Sequence, residues 1–291
     1  MQLRGSESYE LMLTQKQGYE DIHPDETRVC DVLFNSVIKD NNVDVFAVTD
    51  TTNFYYNGKQ YTNSGIFGEQ FCEDKPEDIE LITRELTNLF GSHLKGVRVK
   101  TDDITNDEKV KILTDAKSGG VDPSKMVNQY IKIKHGYDMM HQYEKDNGFQ
   151  YDIVLKTRFD NLHGARRLPF ETYDFDNVDI YVPGGSPPFV YDWCGFGVRD
   201  AMELYNLYDK IGFTLDKRIY RSFCSACNFY EYGDKVDKCP NGCSAEGFTN
   251  NDESTIASEH HLYRLFNDNG IRYKTSGYYS CPLRFNNGYK L

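Results

Sequence analysis

Four cysteines, Cys224, Cys227, Cys239 and Cys243, fall inside twenty residues with the spacing C-x2-C-x11-C-x3-C. Paired thiols on two tight turns can meet at the corners of a tetrahedron, which is what a structural zinc ion requires. Gly233, Pro240 and Gly242 supply the turns. Two disulfides, which need an oxidising compartment, or four unlinked thiols fit the same spacing. Cysteine fills every corner, so a metal held here would have no open position and would staple a loop instead of catalysing. The other four, Cys30, Cys72, Cys194 and Cys281, are scattered, as buried thiols commonly are.

A second group of residues closes the stretch YDIVLKTRFDN (151–161). Arg158 and Asp160 lie two apart on an extended chain and so point to one side. A carboxylate there can hold a divalent ion against a diphosphate, and the guanidinium can grip phosphate or sugar oxygens. An Arg–Asp salt bridge that ends a strand has the same sequence. Further along, Asp192 precedes Trp193, the single tryptophan, whose ring could stack on a sugar or pack in the core. Asp192 is the first candidate for a general base and Glu259 the second. His260 and His261 adjoin Glu259 on a helix and point in different directions, so surface or capping roles are expected for them. Gln129 and Lys132 lie one turn apart on a long helix, where they could reach a ligand or simply face water.

These residues need a scaffold, and the composition supplies one. The 291 residues suffice for a continuous core, and 39% hydrophobic with 14% aromatic residues is too apolar for a disordered chain. The 22 tyrosines suit amphipathic packing at the core edge. A net charge of -12 argues against nucleic acid as a partner, because non-specific binding to a polyanion needs a positive surface. A small phosphate ligand held by a local arginine or a helix N-terminus is still compatible with it. No apolar run approaches the roughly 20 residues of a membrane span, and MQLRGSESYE has no signal-peptide core. The expected setting is therefore soluble and cytoplasmic.

Strand and helix patterns alternate, as in an α/β domain. VDVFAV (43–48) reads as a strand ending in the polar TDTTN, which contains Thr49 and Asp50. A helix is expected over PEDIELITRELTNLFG, a strand over 96–100, a loop over 101–124, and a long amphipathic helix from 125 to the DNG turn. Strands follow at 151–155 and 178–182, then the glycine turn 184–185, a helix over RDAMELYNLYDKIGF, and a last helix over STIASEHHLYRLFNDNG. With no repeat and no linker, the simplest count is one domain, 1–291, with the four-cysteine segment 220–248 inserted. In open α/β sheets ligands bind outside the carboxyl ends of the strands, which is where Thr49, Asp50, Arg158 and Asp160 fall.

The block NQYIKIKHGYDMMHQYEKDNGFQYDIVLKTRFD (128–160) resembles a family of soluble glycosyltransferases found in surface-polysaccharide gene clusters and in large DNA viruses. Its members show a Gln-aromatic-x-Lys-Ile helix start and then a Tyr-Asp-hydrophobic strand ending in Arg-x-Asp. Gln129, Lys132, Ile133, Tyr151, Asp152, Arg158 and Asp160 stand at those positions. NNVDVFAVTDT is similar to the family's Asp-Val-Phe strand, LRG (3–5) to the end of its first strand, and YDWCGFGVRDAMELYNLY and SEHHLYRLFNDNGI to its later segments. The resemblance implies a GT-A-like, Rossmann-type mixed sheet flanked by helices. It also implies a nucleotide-sugar donor, UDP-sugar favoured, held by Arg4, Gly5, Thr49, Asp50, Gln129, Lys132, Arg158 and Asp160. Asp160 would carry Mn2+ or Mg2+, although Arg158 replaces the first carboxylate of the usual Asp-x-Asp pair. Trp193 would face a glycan or glycoprotein acceptor, and the four-cysteine segment lies outside the shared pattern. The alternative from another class is a non-catalytic carbohydrate-binding or zinc-stabilised interaction protein.

Overall fold

The computed structural model describes residues 33–49, 54–56, 59–61, 76–99, 102–115, 123–158, 161–163, 168–185, 189–211, 220–233, 236–251, 258–277 and 280–282. Arg4, Gly5, Asp50 and Asp160 lie outside the described residues. In chain order the strands are β1 (Val45–Thr49), β2 (Phe54–Tyr56), β3 (Lys59–Tyr61), β4 (Leu94–Val99), β5 (Ile153–Lys156), β6 (Asn161–His163) and β7 (Ile180–Val182). After them come β8 (Gly195–Val198), β9 (Tyr220–Cys224), β10 (Phe229–Gly233), β11 (Phe248–Asn251), β12 (Tyr273–Thr275) and β13 (Ser280–Pro282). The helices are α1 (Pro76–Phe90), α2 (Glu108–Asp115), α3 (Pro123–Asn147), α4 (Arg199–Met202) and α5 (Ser258–Asp268), preceded by a π-helical turn, Phe34–Ile38.

The architecture is mixed α/β. One sheet has the order β12-β7-β8-β5, in which β8 runs antiparallel to β5 and β7 while β12 is parallel to β7; β1 and β4 form a separate parallel pair. Both sheets share the same two apolar layers. Phe46, Val154, Ile180 and Val182 face the core built on α3, α2 and α5, whereas Val45, Ala47, Leu155, Tyr181 and Phe196 face the core built on α1 and the π-helical turn. Alternation within β1 and β7 sends successive residues to opposite layers, as strands buried on both faces require. The two sheets thus contribute side chains to the same two apolar layers.

Two glycines let the antiparallel strand fit. A Cβ on Gly195 would lie 2.0 Å from the Tyr205 hydroxyl oxygen, and one on Gly197 would lie 2.1 Å from the Asp179 carbonyl oxygen and 2.8 Å from the Ile180 Cα. The end of α3 is fixed by Glu144, which is buried. Its carboxylate accepts from the Tyr151 N–H at 3.0 Å and from Arg199 at 2.9 and 3.2 Å, joining the helix to the entry of β5 and the start of α4. The tyrosines read as core-edge residues do pack so: Tyr173, Tyr181, Phe175 and Phe196 form an aromatic cluster, with Tyr181 stacked on Phe196 at 5.5 Å.

Two expectations about elements are corrected. The stretch 101–124, read as a loop, contains α2: Asp107 Oδ1 caps it by accepting the Lys109 N–H at 2.7 Å, and Val110 and Leu113 are buried one turn apart. The helix expected from Arg199 to Phe213 is instead α4 followed by two 3-10 turns, Glu203–Tyr205 and Tyr208–Lys210, because Asn206 leaves helical geometry at ψ 72. Among the described residues no helix is long and apolar enough to cross a membrane.

Gly197→Ala is expected to destabilise the fold by about 3 kcal/mol or more, since the obstruction is strand backbone and not a side-chain tip. A urea titration would read this as a lower midpoint, and a midpoint equal to that of the parent would refute the close approach of β7 and β8.

Candidate functional site

β5 ends with Lys156 opposite Gly195, the first residue of β8. Since β8 runs the other way, the residues that lead into it, Asp192, Trp193 and Cys194, arrive at the carboxyl end of β5, where Thr157 and Arg158 continue the chain. Asp192 is buried there at 6% exposure. Gln129 of α3 donates from Nε2 to Asp192 Oδ2 at 2.6 Å, and Lys156 Nζ donates to the Asp192 backbone oxygen. Ser258, at the start of α5, also hydrogen-bonds the carboxylate. Burial raises the Asp192 pKa, but the Lys156 charge, the Ser258 hydrogen bond, the Arg158 charge and the Gln129 hydrogen bond outweigh it and hold the group below the ordinary aspartate value. The result is a fixed, ionised carboxylate that gathers two buried cations.

Behind this group lies Tyr130. Its hydroxyl contacts Ser258 and sits 3.5 Å from His261 Nδ1. Burial first, then the charges of Asp192 and Glu259, pushes the Tyr130 pKa up, so its proton stays. His260 and His261, expected at the surface, are both buried. The 189–190 segment covers the start of α5: the His260 ring lies 4.0 Å from the Phe189 ring, and the Val190 N–H donates to the Glu259 carbonyl. The divergence expected of adjacent helical residues holds nonetheless, since one ring meets Phe189 and the other Tyr130. Burial, and then the neighbouring His260, pushes the His261 pKa down to about 4.

Trp193 stacks on Tyr191, with ring centroids 4.0 Å apart and planes 22° from parallel. Trp193 is half-buried and Tyr191 is 38% exposed. The glycine turn makes this possible, because a Cβ on Gly184 would meet the Tyr191 ring at 2.9 Å. Glu259 is half-buried in the first turn of α5, with Oε2 3.3 Å from the Ser258 hydroxyl oxygen. Thr49 is buried at the end of β1. Lys132 is buried on α3 and, with Lys156, lines a cavity of about 340 Å³ between β1 and β5. The structure thus brings Gln129, Arg158 and Asp192 together, with Trp193 beside them. The sequence reading missed Lys156, Ser258, Tyr130 and Tyr191. Only Lys156 left a signal, a cation continuing an apolar strand.

The four cysteines form a separate site. β9 ends on Cys224 and the turn that leads to β10 holds Cys227, β11 pairs on the other side of β9, and Cys239 and Cys243 flank the Pro240–Gly242 turn. Asn228 at φ 52 and Gly242 at φ 74 tighten the two turns. All four Sγ atoms lie within 4.8 Å of one another, with Cys227 and Cys239 sulfurs 3.5 Å apart. A tetrahedral ion with bonds near 2.3 Å needs sulfurs about 3.8 Å apart, whereas a disulfide needs about 2.05 Å. The geometry fits four ligands to one metal ion such as zinc. Hydrogen bonds to the crowded sulfurs, Cys227 first, push the Cys243 thiol up to about 12, and a bound cation would displace that proton. Comparison with protein-family models, with curated proteins and with solved structures finds no match to this chain.

Two outcomes are expected. Native mass spectrometry should show one tightly held divalent metal per chain, lost in Cys239→Ser and on chelation. Hydrogen exchange should then accelerate in 220–251 and not in β5–β8; unchanged exchange after chelation would refute the metal site. The second outcome concerns His261. Above pH 6.5 it is neutral in both folded and unfolded chains. Between 6.5 and about 4 only the unfolded chain takes up the proton, so stability should drop by about 3 kcal/mol as pH falls through that window. Asp192 acts at lower pH, because a depressed carboxyl loses its contribution only below about 3.9. Urea midpoints at pH 7 and pH 4.5 should show the decline in the parent and a flatter slope in His261→Phe; equal slopes would remove His261 as its source.

Proposed function

We propose that this chain is a glycosyltransferase of GT-A-like fold that moves a sugar from a nucleotide-sugar donor, a UDP-sugar first among them, to a hydroxyl of a glycan or glycoprotein. The observation that carries the reading is the ordered group at the carboxyl end of β5: Asp192 fixed by Gln129 and Ser258, with Lys156 and Arg158 drawn to it and the Tyr191–Trp193 stack alongside. Strand carboxyl ends are where open α/β sheets bind ligands. Fixed cations there would stabilise the charge that builds on a departing diphosphate.

Roles follow from these environments. Arg158 meets the diphosphate. Asp160, two residues on, would hold Mn2+ or Mg2+, which would supply further positive charge at the same oxygens. Asp192 is too firmly ionised and too well hydrogen-bonded to serve as the base that its sequence position suggested; it aligns the cations. The base falls to Glu259, which is half-buried where Asp192 is buried. Trp193 and the more exposed Tyr191 offer aromatic surface to the acceptor, since flat rings with a polar tip suit sugar stacking. Zinc is the ion we assign to the four-cysteine module, where it holds β9–β11 in shape. A second reading, a carbohydrate-binding protein without turnover, draws on the Tyr191–Trp193 stack alone, in which Tyr191 is exposed and Trp193 half-buried.

Thermal melts across UDP-, GDP- and dTDP-sugars with and without manganese test this, followed by a nucleoside-diphosphate release assay. A donor at about a hundred times its dissociation constant should add roughly 2.7 kcal/mol. Arg158→Ala and Asp160→Asn should abolish that gain. Trp193→Ala should keep it and lower transfer to acceptor. Glycan binding without diphosphate release would favour the second reading, and no response to any donor would refute the first.

A further inference from the structure

The sulfurs of the four-cysteine segment are not equally accessible. Cys224 and Cys239 are buried, whereas Cys227 and Cys243 are half-buried. A chelator or electrophile that competes for a metal held here meets the half-buried pair first. Cys227 is also the sulfur that lies 3.5 Å from Cys239. It has a neighbour that cysteine spacing does not mark. Asn241 donates from Nδ2 to Cys227 Sγ at 3.4 Å, across the gap between the two halves of the cluster. Asn241 is exposed, so its amide has water at hand and still points at sulfur. Its turn puts it there. The Gly242 N–H donates to the Cys239 carbonyl at 3.0 Å and closes a β-turn over Cys239–Gly242. Proline in the second place presets φ, asparagine suits turns generally, and glycine is favoured in the fourth. On the facing side the Ser225 N–H and hydroxyl both donate to the Gly247 carbonyl, at 2.9 and 3.3 Å, and fix the turn that carries Cys227. Each turn is thus held by its own backbone, and the Asn241 amide reaches from one to the other.

We propose that Asn241 is a positioning residue of the metal site, whose amide holds Cys227 Sγ in place as a ligand, offsets part of its negative charge and screens it from competing reagents. The proposal rests on the reading of the four cysteines as one metal site. Four thiolates outweigh the charge of one divalent ion, so a donor aimed at one of them makes a charge-assisted hydrogen bond, stronger than one between neutral groups. Groups that hydrogen-bond to metal ligands fix their orientation and tune the affinity of the site. Pro240 has no N–H to offer a sulfur, and the side chain of the next residue supplies one to the opposite turn instead.

Cobalt(II) bound to the full chain tests this, because its sulfur-to-metal charge-transfer band reports the electron density on the thiolates. A hydrogen bond to sulfur lowers the energy of the lone pair, so losing it moves the band to longer wavelength. Asn241→Asp keeps the shape and turn preference of asparagine without the N–H, and Asn241→Ala removes the whole group. Both should move the band to longer wavelength and weaken zinc about 10- to 100-fold in competition with a chelator. The aspartate should cost more, since it sets a carboxylate beside a thiolate. Alkylation of Cys227 by N-ethylmaleimide in the zinc-loaded chain, read by peptide mass spectrometry, should be faster in both. Pro240→Ala slackens the same turn and keeps the amide, so its band should stay at the parent position. The proposal is overturned if both Asn241 variants keep the parent's band and affinity, or if Pro240→Ala shifts them as far, which would make the turn and not the amide responsible. A parent chain that takes up neither cobalt nor zinc would refute the metal site itself, and the proposal with it.

Discussion

The arrangement around β5 depends on a buried negative charge that the fold must match. Asp192 has almost no access to water, and an isolated carboxylate so placed would take up a proton or unfold its surroundings. It does neither, because three elements together send four groups to it: Gln129 from α3, Lys156 and Arg158 from the end of β5, and Ser258 from the start of α5. Matching the charge fixes the relative positions of three elements distant in sequence. The cost of misplacing any of them is an unpaired ion in the interior, so the requirement specifies one geometry where apolar packing alone would tolerate several.

The same requirement explains why the antiparallel strand carries glycines. Asp192 reaches the end of β5 only if β8 lies tightly between β5 and β7, and Gly195 and Gly197 remove the side chains that would hold those strands apart. Tyr205 then packs over Gly195, with Lys156 Nζ 5.9 Å from its ring. A cation at the end of an apolar strand is therefore held by an aromatic face on one side and by the Asp192 carbonyl on the other.

Much of this was legible in the chain. Periodicity gave α1 and α3 because each buries a regular set of positions, a short apolar run gave β5, and cysteine spacing gave the compact sulfur cluster because two short loops leave few other arrangements. The failures share a cause. α2 has only two buried positions, Val110 and Leu113, in a polar stretch, and its clearest mark was the capping Asp107. His260 and His261 look like surface residues in SEHHLYRLF, yet both are covered by the 189–190 segment and α3, contacts made across about seventy residues of chain or more. The break after Met202 likewise arises where Tyr137 donates to the Met202 carbonyl, a bond no local pattern records. Local rules describe elements; they do not say which element covers which.

The four-cysteine module is built the opposite way. Its three strands are only four or five residues long, and Phe223 is left 37% exposed. Four sulfurs converge on one point, and a metal ion held there would tie the segment together with a few strong bonds. The α/β body and the module therefore solve the same problem, fixing distant backbone segments, by different means: a buried ion network within a large apolar interior in one, metal-type ligand geometry on a small sheet in the other. The module can accordingly lose its order while β5, β8 and the groups around Asp192 keep theirs, because the hydrogen bonds and charges that fix Asp192 come from Gln129, Lys156, Arg158 and Ser258 and not from the sulfur cluster.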